Sequence, residues 1–177
     1  MKFRECIVAF TAVVMVVGTI GSVPTAAAET KRHLGSYRDW EAFVYGTGAK
    51  RTCHMISVPK SWKASKKKVN RGKIYAMVSH RPEYGITGEV NMVMGYPVRQ
   101  GSDAIVRIDG RKRLEFFTEG DSAWAYDPKD DAAAILAMKR GSGLTVAATS
   151  QRGTNTTDKY SLSGFTAAYN AITKDCR

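Results

Sequence analysis

From Tyr37 onward the chain is cut into short apolar stretches by Gly, Pro and Asp, a spacing that predicts an all-β domain. Trp40–Tyr45 reads as a first strand, and Thr52–Val58 as a second that Pro59 ends. Lys73–Ser79 is a third, with Ile74, Ala76 and Val78 alternating against Lys73, Tyr75 and Met77, and Arg81-Pro82 stops it. Val90–Met94 is a fourth, closed by Gly95-Tyr96-Pro97. Ile105–Ile108 and Arg113–Phe117 flank Asp109-Gly110, a strong hairpin signal because both residues tolerate positive φ. Ser122–Tyr126 is another short strand, and Leu144–Thr149 with Thr157–Ser161 forms a last pair around Arg152-Gly153-Thr154. Two helices interrupt the strands. Asp127 caps the first, Pro128 opens it, and Asp130 and Asp131 sit in its first turn, where the helix dipole favours acids. Ala132, Ile135 and Leu136 share a face there, flanked by Met138, and Lys139-Arg140-Gly141 ends it. Ser163 is placed to cap the second, in which Phe165, Ala168, Tyr169 and Ile172 form one apolar stripe. The architecture expected is a single antiparallel β-sandwich domain over 36–177, with one helix between late strands and one C-terminal helix.

The N-terminus points to export. Lys2 and Arg4 precede the uncharged apolar run Ile7–Ile20, and Pro24 and Ala26-Ala27-Ala28 follow it in the small-x-small pattern of a signal cleavage site. The run holds about 14 residues, against the roughly 20 that a membrane-spanning helix requires. Residues 1–28 are therefore read as a cleaved signal peptide and Glu29–Gly35 as a loose polar start, so the mature chain is not an integral membrane protein. Without residues 1–28 the chain carries 25 Lys and Arg against 15 Asp and Glu, a net charge of +10. That balance favours anionic partners. Cys6 leaves with the signal, while Cys53 and Cys176 remain and are expected to form one disulfide in an oxidising compartment. Free thiols serving metal or redox chemistry are the alternative, though no CxxC is present.

Catalytic patterns are not found. His33 lies in the loose start, His54 follows Cys53 on a strand and faces the other way, and His80 closes a strand; none has metal-ligand spacing. There is no GxSxG elbow, phosphate-binding loop or dinucleotide fingerprint. No enzyme activity, cofactor or metal is expected. Asn155-Thr156-Thr157 fits a glycosylation pattern but equally suits a turn. The stretch that stands out is Lys60–Lys73, with Lys60, Trp62, Lys63, Lys66, Lys67, Lys68, Arg71 and Lys73 and no acid. A basic loop bearing an exposed aromatic is a candidate binder of anionic surfaces; a solvated connection whose lysines repel one another is the plainer reading. Nucleic acid is not expected as a partner, because the aromatics are not interleaved as in a stacking platform.

Four further blocks carry a family resemblance. Gly95-Tyr96-Pro97 is followed by Phe117-Thr118-Glu119-Gly120-Asp121-Ser122-Ala123-Trp124, then by Ala137-Met138-Lys139-Arg140-Gly141-Ser142. The last runs Thr149-Ser150-Gln151-Arg152-Gly153-Thr154, then Thr157-Asp158-Lys159-Tyr160-Ser161-Leu162-Ser163-Gly164-Phe165-Thr166-Ala167. Together they resemble the invasion-associated locus B (IalB) family, over nearly all of Trp40–Cys176. Their glycines also suit turns, and Trp124 and Tyr160 suit a sandwich core. The resemblance implies a mostly β, immunoglobulin-like antiparallel β-sandwich exported to the envelope of a Gram-negative bacterium, in the periplasm, at the outer membrane, or surface-exposed or secreted. It implies a part in host-cell invasion or host-surface binding, and no established enzymatic reaction. The alternative role is envelope maintenance through an anionic periplasmic or outer-membrane component. The segment near Lys66 is richer in lysine than the family pattern, which bears on ligand choice.

Overall fold

The computed structural model describes residues 30–176. Eleven strands lie among them: β1 (Lys31–Tyr37), β2 (Trp40–Tyr45), β3 (Thr52–Ser57), β4 (Ser61–Ala64), β5 (Tyr75–Arg81), β6 (Ile86–Val93), β7 (Ala104–Ile108), β8 (Lys112–Glu119), β9 (Ser122–Trp124), β10 (Gly143–Thr149) and β11 (Asn155–Ser161). Helix α1 (Pro128–Arg140) precedes β10, and α2 (Phe165–Asp175) follows β11. Every pairing is antiparallel, and the strands run in the order β1-β2-β3-β5-β6-β9-β8-β7-β10-β11-β4.

That order cannot be flat. Strands β3 and β4 are eight places apart in the sheet, which at the usual strand spacing is about 38 Å. Only Val58, Pro59 and Lys60 join them, and such a link reaches about 14 Å at full extension. The sheet must therefore fold over itself into two layers. The corner is β8, whose Lys112–Phe116 half pairs with β7 and whose Phe117–Glu119 half pairs with β9. Bonds between the layers confirm the closure: Trp40 Nε1 donates to the Ser161 carbonyl at 3.0 Å, and Asp39 N–H to the Ser163 carbonyl at 3.2 Å.

The alternation of the strands then builds the core. Ala42, Val44, Cys53, Met55, Ala76, Val78, Val90 and Met92 face inward from one layer, and Val106, Ile108, Leu144, Val146 and Tyr160 from the other. Phe165, Ala168 and Ile172 of α2 are buried, and Phe165 meets Trp40 edge-on at 5.0 Å. The Asp109-Gly110 turn forms as expected, with φ of 50° and 71° and Arg111 N–H bonded to the Ile108 carbonyl. Cys53 of β3 and Cys176 just beyond α2 form the disulfide, with their Cα atoms 6.0 Å apart.

Several expectations are corrected. The supposedly loose start is an edge strand: Lys31–Tyr37 pairs with β2, and His33 sits within it. Its polar composition, typical of a protected edge, concealed it. The third strand begins at Tyr75 and runs on to Arg81, so His80 lies buried inside it. On α1 the buried stripe is Ala134, Ile135 and Met138, and Leu136 is exposed. An acid at the first position of that stripe, Asp131, hid the period: it accepts Val90 N–H at 2.8 Å, and burial chiefly raises its pKa to about 6. Ser163 does not cap α2. Gly164 does so with φ of 90°, and a Cβ there would lie 1.8 Å from the Tyr37 carbonyl oxygen. Trp124 is only half-buried on an outer face; the tryptophan filling the core is Trp40.

His80 links β5, β6 and α2. Its Nδ1 accepts Gly88 N–H at 2.8 Å, which leaves the proton on Nε2, 3.0 Å from Thr173 Oγ1. Burial, with Lys139 nearby, lowers its pKa, so the unfolded chain binds the proton more readily than the native one. His80 should therefore stabilise the fold fully above the ordinary histidine value of 6.5 and lose that contribution as pH falls below it. Urea unfolding at pH 7.5 and pH 5 should show this loss in the parent and a smaller one in His80→Gln; equal losses would show that His80 is not its source.

The disulfide spans a sequence separation of 123 residues. Reduction should lower unfolding free energy by about 4–5 kcal/mol in the chain-entropy limit. Urea midpoints with and without reductant measure it, and native-state thiol labelling should find no free cysteine among the described residues.

Candidate functional site

The segment Lys60–Lys73 is not one loop. Its first part is β4, the edge strand that pairs with β11, because Trp62 and Ala64 alternate against Lys63 in a form the sheet accepts. Beyond it the chain is tied down at three points. Ser65 N–H donates to the Asn155 carbonyl at 2.9 Å, and Asn155 N–H returns to Ser65 Oγ at 3.0 Å. Gly72 N–H donates to the Gly95 carbonyl at 2.7 Å. Between these lies Arg71, whose side chain is 3% exposed. Its guanidinium grips the fully buried Asp158 through two bonds of 2.6 and 2.7 Å and donates twice more to the Met94 carbonyl. Its faces are covered by the rings of Trp62 and Tyr96, at 5.3 and 5.0 Å.

The backbone crossing explains one glycine of the family-like blocks. Gly95 has φ of 69°, and a Cβ on it would lie 2.8 Å from the carbonyl oxygens of Gly72 and Lys73. Tyr96 beside it is buried with its hydroxyl 2.6 Å from Thr156 Oγ1, and burial pushes the phenol pKa up. The block Ser150–Thr154 folds against this floor. Gln151 N–H donates to the Pro97 carbonyl, Gly153 N–H to Ser150, and Thr154 N–H to Ser150 Oγ.

Between the two walls lies an open cleft of about 540 Å³. Lys66, Lys67, Lys68, Val69 and Asn70 line one side, Gln151, Arg152 and Thr154 the other, with Tyr96 and Pro97 below. Lys66 Nζ reaches across to the Arg152 carbonyl at 3.0 Å. The cleft carries four cations and no acidic residue in its lining.

The structure thus divides the basic candidates. Lys66, Lys67 and Lys68 come together. Arg71 does not belong with them on the surface: it is spent on Asp158, because a buried guanidinium must be paired. Trp62, 44% exposed, covers Arg71. Lys60 is ion-paired with Asp39 at the layer junction. Lys63 stands on the opposite face of β4 from Trp62, opposite Thr157, and Lys73 lines a separate recess with Phe43, Tyr45 and His54. Arg152 and Gln151 were missed as site residues, because only the folding of distant segments brings them to the lysines, and Asn70 was missed as an uncharged residue within the basic run. Among the described residues no cluster of His, Cys, Asp and Glu has metal-holding geometry, and no helix is long and apolar enough to cross a membrane.

These features define a disulfide-stapled, two-layer antiparallel β protein with a preformed basic cleft at one end of its second layer. The chain matches the family model "Invasion associated locus B (IalB) protein" over residues 40–173 and belongs to that family. No curated protein and no solved structure matches it.

Removing the Asp158 carboxylate would leave Arg71 buried and unpaired. Asp158→Ala should cost about 3–5 kcal/mol of stability. Chemical denaturation checks this, and a loss below about 1 kcal/mol, the scale of exposed pairs, would show that the pair does not hold the loop.

Proposed function

We propose that this chain is an exported, non-enzymatic envelope protein that takes part in host-cell invasion by attaching to an anionic surface. Family membership supplies the invasion association. The observation that carries the mode of action is the gathering of Lys66, Lys67, Lys68 and Arg152 around one cleft with no acid among its lining residues. Several cations elsewhere among the described residues are paired with an acid, as in Arg32–Asp175, Arg81–Glu89 and Arg113–Glu115, whereas none of these four is. Unneutralised like charges held together raise the local potential and attract anions from solution.

The exported protein should bind intact host cells saturably, more weakly at high salt. Replacing Lys66, Lys67 and Lys68 together with Glu should weaken that binding and flatten its salt dependence. Binding unchanged by the triple substitution would remove the cleft from the function. Binding confined to isolated bacterial envelopes would overturn the host-surface reading in favour of envelope maintenance.

A further inference from the structure

The cleft has more than charge, and this inference rests on the surface-binding reading just given. We propose that it is a binding site for an acidic saccharide, a short sugar chain bearing sulfate, phosphate or carboxylate groups. Lys67, Lys68 and Arg152 would hold the anionic group, and Asn70 and Gln151 the neighbouring hydroxyls.

Four observations support this. Arg152 presents a planar guanidinium, the fork that matches the paired oxygens of sulfate, phosphate or carboxylate, and it faces lysines across the cleft. Asn70 and Gln151 are exposed, and their side chains make no hydrogen bond within the described residues. An amide offers both a donor and an acceptor, which suits hydroxyls. Pro97 is exposed on the floor, a small apolar surface suited to the C–H face of a sugar ring. Finally, the volume of about 540 Å³ falls within the range of small-ligand sites and admits a short oligosaccharide.

The same geometry disfavours other anions. A nucleic acid strand would need free aromatic faces for its bases. The aromatic rings here, Trp62 and Tyr96, already cover the Arg71 guanidinium. A flat anionic lipid surface would engage the lysines by charge alone and leave the amide groups of Asn70 and Gln151 in the cleft unused. The walls are fixed by backbone bonds between Ser65 and Asn155, Gly72 and Gly95, and Gln151 and Pro97. A ligand therefore meets a formed site and loses little affinity to ordering it.

Two sources carry such chemistry: sulfated glycans of a host surface and phosphorylated sugars of the bacterial envelope. Titration calorimetry of the exported protein with a heparin-derived tetrasaccharide, a bisphosphorylated glucosamine disaccharide and a neutral cello-oligosaccharide separates them. One or both acidic ligands should bind one-to-one, and the neutral one should not. Arg152→Glu should weaken binding about tenfold or more, the loss expected for a charged hydrogen bond. Lys112→Glu makes the same change in net charge at the far end of the second layer, near the Asp109 turn, and should weaken it less than about twofold, as screening over that distance dictates. Gln151→Ala should weaken binding several-fold without changing its salt dependence, which a diffuse charge effect would not do. Unfolding midpoints equal to the parent's establish that the variants fold.

Equal losses in Arg152→Glu and Lys112→Glu, or no binding of either acidic ligand, would overturn the proposal. No binding of either acidic ligand, with host-cell binding that persists in Gln151→Ala and Arg152→Glu, would overturn it while leaving the surface-binding reading intact. Saccharide binding without host-cell binding would do the reverse.

Discussion

The arrangement at the cleft depends on one buried ion pair. Arg71 and Asp158 are both withdrawn from water, a state that costs several kcal/mol per charge unless nearly every polar atom is satisfied. Here the carboxylate takes two guanidinium bonds, the Met94 carbonyl takes two more, and two aromatic rings cover the faces. Such a pair adds little net stability over an apolar equivalent, but it leaves the connection between β4 and β5 few alternatives. Any shift of the loop would strand a charge in the core. The pair thus converts a lysine-rich segment, which self-repulsion would otherwise spread, into a fixed wall.

The second constraint is topological. The chain leaves the first layer after β3, runs as β4 along the outer edge of β11, and returns to β5 in the first layer. That excursion closes the sandwich and also shields an edge that would otherwise offer unpaired backbone groups. It must cross the Gly95-Tyr96-Pro97 turn on its way back, and the crossing is close enough that only glycine fits at position 95. A residue that marks the family in sequence therefore has a packing reason, and the cleft floor is its by-product.

Much of the fold was legible because its signals are local. Asp109-Gly110 announced its hairpin through turn chemistry, and Asp127 with Pro128 announced α1, where Asp127 accepts from the N–H groups of Lys129 and Asp130. The cysteine count led to the disulfide because, in a chain read as exported, two thiols have one partner each. What failed was non-local. Strand β1 is polar because it is an edge, α1's stripe begins with an acid that bonds to β6, and β4 reads as loop because its partner lies more than ninety residues away, a separation no local pattern records. The site divided in the same way. Its lysines were visible as a run of charge, but the fate of Arg71 turned on Asp158, and the membership of Arg152 turned on the folding of Ser150–Thr154 against Pro97.

That division bears on how charge should be read in basic proteins of this kind. A net positive balance attracts anions from any direction and distinguishes poorly among them. Selectivity needs cations held at fixed separations beside neutral donors and acceptors, and fixing them requires that some cations be withdrawn from the surface to act as struts. Arg71 is such a strut, while Lys66 divides its role, lining the cleft and bracing it through the Arg152 carbonyl. Counting basic residues in Lys60–Lys73 overstates the charge available to a partner and understates how well it is positioned. Lys67, Lys68 and Arg152 present fewer charges than the sequence run promises, but on walls that the core itself holds in place.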